Sequence, residues 1–195
     1  YVACEKTDGT RIAIVCRIVN KKKYVVVVNR SMEMSSVKFY MPRKSYDGTI
    51  LDGELVDGKL MIYDAVMVSG VSVKHMNLID RLGHISSFLT GIMKMPTDPF
   101  VIQIKTFYSS KNMDELIRKV SDNDFPYAND GLVFTPVNDP IKIGTHETMF
   151  KWKPREKNTV DYLARLRDDG TTGLYIQERG EHIFSCIITP SPKWA

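Results

Sequence analysis

Asp57-Gly58 stands between two runs of alternating polarity, Ile50 to Val56 and Lys59 to Val66, and it reverses the chain there. The tight hairpin turn needs positive φ at its central residues, which Asp and Gly tolerate. With a loop of two residues, Val56 pairs with Lys59, Glu54 with Met61 and Asp52 with Tyr63. Side chains alternate across a strand, so Asp52, Glu54, Met61 and Tyr63 share one face while Leu51, Leu55, Leu60 and Ile62 share the other. The aliphatic face is predicted to be core. The polar face sets carboxylates beside an aromatic ring. It reads either as an exposed surface with incidental acids or as a site whose acids take metal or ribose and whose ring takes a purine.

Similar punctuation recurs along the chain. Ile12 to Val19 and Tyr24 to Val28 are β-branched runs joined by Asn20-Lys21-Lys22-Lys23, a hairpin with a solvated basic turn. Leu174 to Gln177 and His182 to Ile188 form another, joined through Glu178-Arg179-Gly180-Glu181. Leu78, Ile79, Leu82, Ile85, Phe88, Leu89 and Ile92 recur at helical spacing, which predicts a helix from about Met76 to Ile92 with its stripe in the core. A shorter helix is predicted over Met113 to Val120, capped by Asn112 or Ser110. In Lys151-Trp152-Lys153, strand parity turns both lysines one way and Trp152 the other. Trp152 is then expected to anchor in the core, and the lysines either hold a polyanion or lie solvated on an edge strand.

Composition narrows the class. At 195 residues and 43% hydrophobic, the chain can bury one good core with room for part of a second domain. No apolar run approaches membrane-spanning length, and Tyr1 to Glu5 carries no signal-peptide pattern, so a soluble protein without a membrane partner is expected. Cys4, Cys16 and Cys186 are scattered and odd in number, which fits a reducing intracellular compartment; His75, His84, His146 and His182 are isolated and form no zinc pattern. A net charge of +4 suits phosphate-bearing partners and excludes little.

Lys6-Thr7-Asp8-Gly9-Thr10-Arg11 places a lysine, an aspartate, a glycine and an arginine at fixed offsets. Alone, it reads as a solvated lysine before an Asp-Gly turn. Four further segments change that reading: Leu51-Asp52-Gly53-Glu54-Leu55-Val56, Tyr63-Asp64-Ala65-Val66, Asp130-Gly131-Leu132-Val133-Phe134-Thr135-Pro136 and Lys151-Trp152-Lys153-Pro154. In this order they resemble the motifs of the nucleotidyltransferase domain of GTP-dependent mRNA capping enzymes, in the superfamily shared with ATP-dependent DNA and RNA ligases. Asn158-Thr159-Val160-Asp161-Tyr162 resembles the capping enzymes' Asn-x-Val-Asp-Phe, and the Lys-Trp-Lys-Pro form favours cappers over ligases. The compact loops resemble those of forms from large DNA viruses.

The resemblance implies an α+β fold of mainly antiparallel sheets with few helices, the ATP-grasp-like nucleotidyltransferase domain of ligases and capping enzymes. Residues 1–162 would be that domain, lacking the family's stretch before the lysine. Residues 163–195 would begin an incomplete oligonucleotide-binding (OB) fold. It implies that Lys6 attacks the α-phosphorus of GTP, expels pyrophosphate and passes GMP to an RNA 5′-diphosphate. Lysine near its reference pKa of about 10.4 is protonated, and Arg11, Lys151, Lys153 and a divalent cation would disfavour that charge. Glu54 and Asp130 are the implied ligands for Mg²⁺ or Mn²⁺, Arg11 and Glu54 hold the ribose or its phosphates, and Tyr63 stacks on guanine. Arg30 resembles the family's arginine between the first and third motifs. Lys105 resembles a lysine near the guanine or its phosphates, although an exposed lysine on a strand explains it too. Asp80-Arg81 reads as a helix-surface ion pair. Partners implied are GTP and the RNA 5′ end, with fused or associated triphosphatase and methyltransferase domains. The setting is cytoplasm or virion for a viral form and nucleus for a cellular one. Two alternatives share the residues: an ATP-dependent polynucleotide ligase acting through lysyl-AMP, and an inactive GTP- or RNA-binding module.

Overall fold

Residues 1–189 are described in a computed structural model. The strands are β1 (Val2–Thr7), β2 (Thr10–Val19), β3 (Lys22–Asn29), β4 (Met34–Ser36), β5 (Thr49–Val56), β6 (Lys59–Val68) and β7 (Val71–Ser72). Helix α1 (Leu78–Thr90), β8 (Val101–Ile104) and helix α2 (Met113–Ser121) come next. The chain continues through β9 (Asn129–Thr135), β10 (Phe150–Trp152), β11 (Leu163–Leu166), β12 (Thr172–Glu178) and β13 (Glu181–Ile188). It divides into two compact units, Tyr1–Pro154 and Arg155–Ala195. The division falls earlier than the 162/163 boundary read from the sequence, and positions 190–195 of the expected OB span lie outside the described residues.

In the first unit the larger sheet has the order β4-β3-β2-β5-β6-β7, with β8 added parallel to β6. Its hairpins turn as the dipeptides dictate. Asp57 and Gly58 have φ of 46° and 70°, and Asn20 and Lys21 have 50° and 62°. The second turn is therefore tighter than the four-residue loop expected, because Asn20 and Lys21 accept the left-handed conformation and Lys22 and Lys23 join β3.

From Val56↔Lys59 through Gly53↔Ile62 the β5–β6 register is that of a two-residue turn. Beyond it the register shifts, so that Asp52 pairs with Asp64 and Tyr63 is an extra residue in β6. This replaces the expected Asp52–Tyr63 pairing. The break falls where β8 ends its pairing at Ile62↔Ile104, while β2 and β5 stay in regular register through Arg11↔Glu54 and Ala13↔Asp52. A bulge of this kind re-aims the side chain it frees.

Leu51, Leu60 and Ile62 are fully buried with Ile14, Cys16, Ala65, Ile85 and Phe88 in the main core. Helix α1 lies within the expected span and packs Leu78, Ile85 and Phe88 inward, while Ile79 at the stripe's edge is exposed. Asn77 caps it by accepting from the Asp80 amide and donating to the Asp80 carboxylate. Helix α2 begins at Met113, but neither Asn112 nor Ser110 caps it through a side chain; a short 3₁₀ turn, Ser110–Asn112, leads in instead.

The smaller sheet of this unit has the order β1-β9-β10, with α2 and Tyr108 covering Ala3 and Leu132. The second unit holds the antiparallel sheet β11-β12-β13, whose last hairpin turns on Arg179 and Gly180 at φ of 51° and 90°. Among the described residues no helix is long and apolar enough to cross a membrane.

Candidate active site

Lys6 leaves β1 where that strand's pairing with β9 shifts, between Glu5↔Leu132 and Thr7↔Asn129. Its ammonium donates to Asp130 Oδ1 at 2.7 Å, and the Lys153 ammonium sits 2.6 Å from Asp130 Oδ2. Gly131 makes this meeting possible. A Cβ there would fall 2.0 Å from the Trp152 carbonyl oxygen, and its φ of +148° suits glycine, so β9 and β10 approach as no side chain would allow. Burial acts to raise the Asp130 carboxyl, but the hydrogen bonds from Lys153 and Lys6 outweigh it and hold the group below its ordinary value. The hydrogen bond to Asp130 raises Lys153 in turn. The candidate nucleophile thus faces a carboxylate first and the second lysine across it. Lys6 and Lys153 share this one carboxylate, and Arg11 is held on Asp52.

Gly9 acts by closeness rather than by a left-handed turn. Its Cβ would lie 2.4 Å from the Leu55 carbonyl oxygen, so the first motif lies directly on β5. The Asp8 amide donates to the Ala128 carbonyl at 2.9 Å, and the Gly9 amide reaches Glu54 Oε1 at 3.4 Å. Asp8 and Gly9 stay exposed in the reversal between β1 and β2, and these contacts fix that turn against β5 and the start of β9.

On the polar face of β5 the acids are partnered. Arg11 Nε donates to Asp52 Oδ1 at 3.0 Å, a second guanidinium nitrogen takes Oδ2, and the Tyr63 hydroxyl donates to Oδ1 at 2.8 Å. The hydrogen bond to Asp52 raises the Arg11 guanidinium against the opposing effect of burial, and burial with the Asp52 charge pushes the Tyr63 phenol well up. The bulge that removes Tyr63 from register thus leaves its hydroxyl on Asp52.

Lys105 is buried rather than exposed. It donates to the Glu5 carbonyl at 2.9 Å and lies 3.7 Å from Glu5 Oε1, which also accepts from the Tyr127 hydroxyl at 3.0 Å. Its ammonium is 6.0 Å from the Tyr63 ring centre, which ties this network to the β5–β6 face. Glu5 and Tyr127 went unread in the sequence; the available signal was a carboxylate in the otherwise apolar run Val2-Ala3-Cys4. Burial pushes the Cys4 thiol up to about 12, so it stays protonated. The Thr7 hydroxyl, beside Lys6, is buried and has no hydrogen-bond partner among the described residues.

Arg81 also departs from the reading of a surface pair. It is 2% exposed and clamps Asp64 through Nε and Nη2 at 2.7 and 3.0 Å, while donating to the Met76 and Asp139 carbonyls. It therefore pins the strand immediately after the Tyr63 bulge. Arg30 and Lys151 are exposed and make no ion pair among the described residues; Arg30 follows Asn29 at the end of β3, next to the start of β2. Trp152 is 48% exposed and does not anchor in the core, because β10 is an edge strand lying beyond the columns that α2 and Tyr108 cover.

No cluster of three or more His, Cys, Asp or Glu side chains able to hold a metal occurs among the described residues. Asp130 and Glu54 supply hard oxygen atoms, yet both Asp130 oxygens already serve lysines. These residues fit a divalent ion carried on substrate phosphates with one or two protein carboxylates, not a cage built by protein alone.

The mRNA capping enzyme catalytic-domain model matches residues 1–155, and the chain belongs to that family. Similar proteins include the mRNA-capping enzyme subunit alpha of Eremothecium gossypii, 27% identical across 98% of this chain and 49% of that one. The subunit alpha of Saccharomyces cerevisiae is 28% identical across 85% of this chain and 43% of its own. The mRNA-capping enzyme of Mus musculus is 25% identical across 92% and 33%. The chain thus spans about half or less of these relatives. Among solved structures, mycobacterial DNA ligase D complexed with ATP and MES matches with a TM-score of 0.59 at 12% identity, over 96% of this chain and 65% of that one. That likeness establishes the fold, an antiparallel α+β domain of the ligase and capping type.

Proposed function

We propose that this chain carries the guanylyl-transfer site of an mRNA capping enzyme, with Lys6 as nucleophile. The observation that carries the reading is the part-buried Lys6–Asp130–Lys153 set, which puts one amine and a second cation on a single carboxylate. In the first step the Lys6 amine, having given up a proton, bonds to the α-phosphorus of GTP as the bond to the β-phosphate oxygen breaks and pyrophosphate leaves. In the second, a β-phosphate oxygen of an RNA 5′-diphosphate attacks that phosphorus, the P–N bond breaks, and Lys6 regains its proton.

Asp130 holds Lys6 in place and Lys153 waits beside it with charge for the phosphate. When the β5–β6 face receives the nucleoside, Tyr63 offers its ring and Arg11 and Glu54 offer contacts to ribose or phosphate. Lys105 stands near the base, and Arg30 and Lys151 are free to swing onto phosphates. Mg²⁺ or Mn²⁺ held by Glu54 or Asp130 would neutralise charge developing on phosphate oxygens. The fungal relatives' names as alpha subunits support a partner subunit, and a triphosphatase supplies the diphosphate end that the chemistry requires. The sheet β11-β12-β13 is read as the opening strands of an OB fold. The setting is intracellular, where RNA 5′ ends are made.

Radiolabelled GTP tests the reading. The protein should acquire an acid-labile, alkali-stable phosphoramidate from GTP and none from ATP, and Lys6→Ala should abolish it while GTP binding persists. Label from ATP alone would make this a ligase-type site, and full label in Lys6→Ala would remove Lys6 from the chemistry.

A further inference from the structure

Between β8 and α2 the chain crosses from one sheet of the first unit to the other within a few residues. The Lys105 amide donates to the Ile62 carbonyl of the larger sheet at 2.8 Å, and Tyr108 exchanges main-chain hydrogen bonds with Ala3 of the smaller one at 2.9 and 2.7 Å. Lys105 makes the same crossing with its side chain. Its ammonium donates to the Glu5 main-chain carbonyl at 2.9 Å and lies 3.7 Å from Glu5 Oε1. Ile62 immediately precedes Tyr63, and Glu5 immediately precedes Lys6. One residue therefore joins the strand that carries the candidate stacking ring to the strand that carries the candidate nucleophile.

Glu5 seats that residue. Glu5 is 1% exposed and Lys105 5%, and at such depth either charge without the other would be strongly unfavourable. Tyr127 donates to the same Glu5 oxygen at 3.0 Å, and burial with the Glu5 charge pushes its phenol up, so it keeps the proton that it donates. The Tyr127 ring is held in turn by Phe125, with ring centres 5.8 Å apart, and by the Lys59 ammonium, 5.8 Å from the ring centre. Closed off from solvent, the Glu5 carboxylate acts on a substrate only through what it holds.

We propose that Glu5 is a positioning residue for lysyl-nucleotide formation, seating Lys105 as a strut that sets the distance between the base on Tyr63 and the amine of Lys6. The inference rests on the guanylyl-transfer reading for where base and α-phosphorus lie. Attack requires the amine and the phosphorus within about 3–3.5 Å and in line, and the nucleoside spans the gap from ring to phosphate. A change in the spacing of the two sheets therefore moves the phosphorus off line even when the base stays bound.

Single-turnover labelling of the full chain at saturating GTP reads two quantities, the rate constant of lysyl-GMP formation and the final yield. Glu5→Gln keeps the side-chain volume and an oxygen for Tyr127 but removes the charge that seats Lys105. Its rate constant should fall about tenfold at the parent yield. Tyr127→Phe, which loses a single hydroxyl, should lower it in the same direction by less, and it carries the test where Glu5→Gln does not fold. A lower yield at the parent rate constant is the mark of a merely structural role and overturns the proposal, as does a parent rate constant and yield in both variants. Since Glu5 acts through Lys105, Glu5→Gln added to Lys105→Met should slow the reaction no further than Lys105→Met alone, and a full further loss overturns the strut. If the parent takes label from ATP alone, the guanylyl reading has failed, and the same rate constants measured with ATP decide the strut. No label from either nucleotide overturns both.

Discussion

Asp130 carries two ammonium groups at once, which makes it the residue whose loss disturbs the site most. Its carboxyl is held below the ordinary 3.8 because the hydrogen bonds from Lys153 and Lys6 outweigh the upward push of burial. A lowered folded-state pKa means that the charged form is favoured on folding. The contribution is complete above the unfolded value and is lost as pH falls through the lowered one. Parent and Asp130→Asn should therefore differ in Tm by a constant amount near neutral pH, and the difference should shrink once pH drops below about 3.8. Thermal melts between pH 2.5 and 7 check this; a gap that widens in acid would contradict the pairing.

At the scale of elements, the smallest residues set how strands approach. Gly131 leaves no room for a methyl group, with the Trp152 carbonyl 2.0 Å from where a Cβ would stand, whereas Gly58 at φ +70° has nothing within 4 Å. Gly58→Ala should cost only the conformational penalty of a left-handed alanine, about 1 kcal/mol. Gly131→Ala adds a backbone clash and should cost about 3 kcal/mol or more, while pulling Lys153 off Asp130. Chemical denaturation of the two variants checks the order, and equal costs would show that β9 and β10 can separate freely. Gly9 against Leu55 is a second instance of the same device. Glycines at both the first and fourth motifs thus hold Lys6 between two sheets.

At the scale of the molecule, the residues proposed to bind nucleotide all belong to the unit Tyr1–Pro154. A ligand that binds only the folded state stabilises it by mass action, about 2.7 kcal/mol at a hundredfold excess over Kd. For a unit of this size that is a rise in Tm of roughly 5–10 °C. GTP should produce this rise in differential scanning fluorimetry and ATP a smaller one. Equal shifts would show that the pocket does not read the base, whatever the fate of Lys6.

The turns and the long helix were legible because their causes lie within a few residues. Asp57-Gly58 sets the hairpin register as far as Gly53↔Ile62, and the Leu78 to Phe88 spacing sets α1. The family was legible as well, since the order of the motifs around Lys6, Glu54, Asp130 and Lys153 along the chain carries the resemblance. What the chain could not display is anything decided by a neighbour distant in sequence. Tyr63 leaves register where β8 departs, Lys105 is buried on Glu5, Arg81 is drawn inward to Asp64, and Trp152 stays exposed at a sheet edge. A strand's alternation says which side chains share a face, and only the packing of other elements decides whether that face meets core, ligand or water.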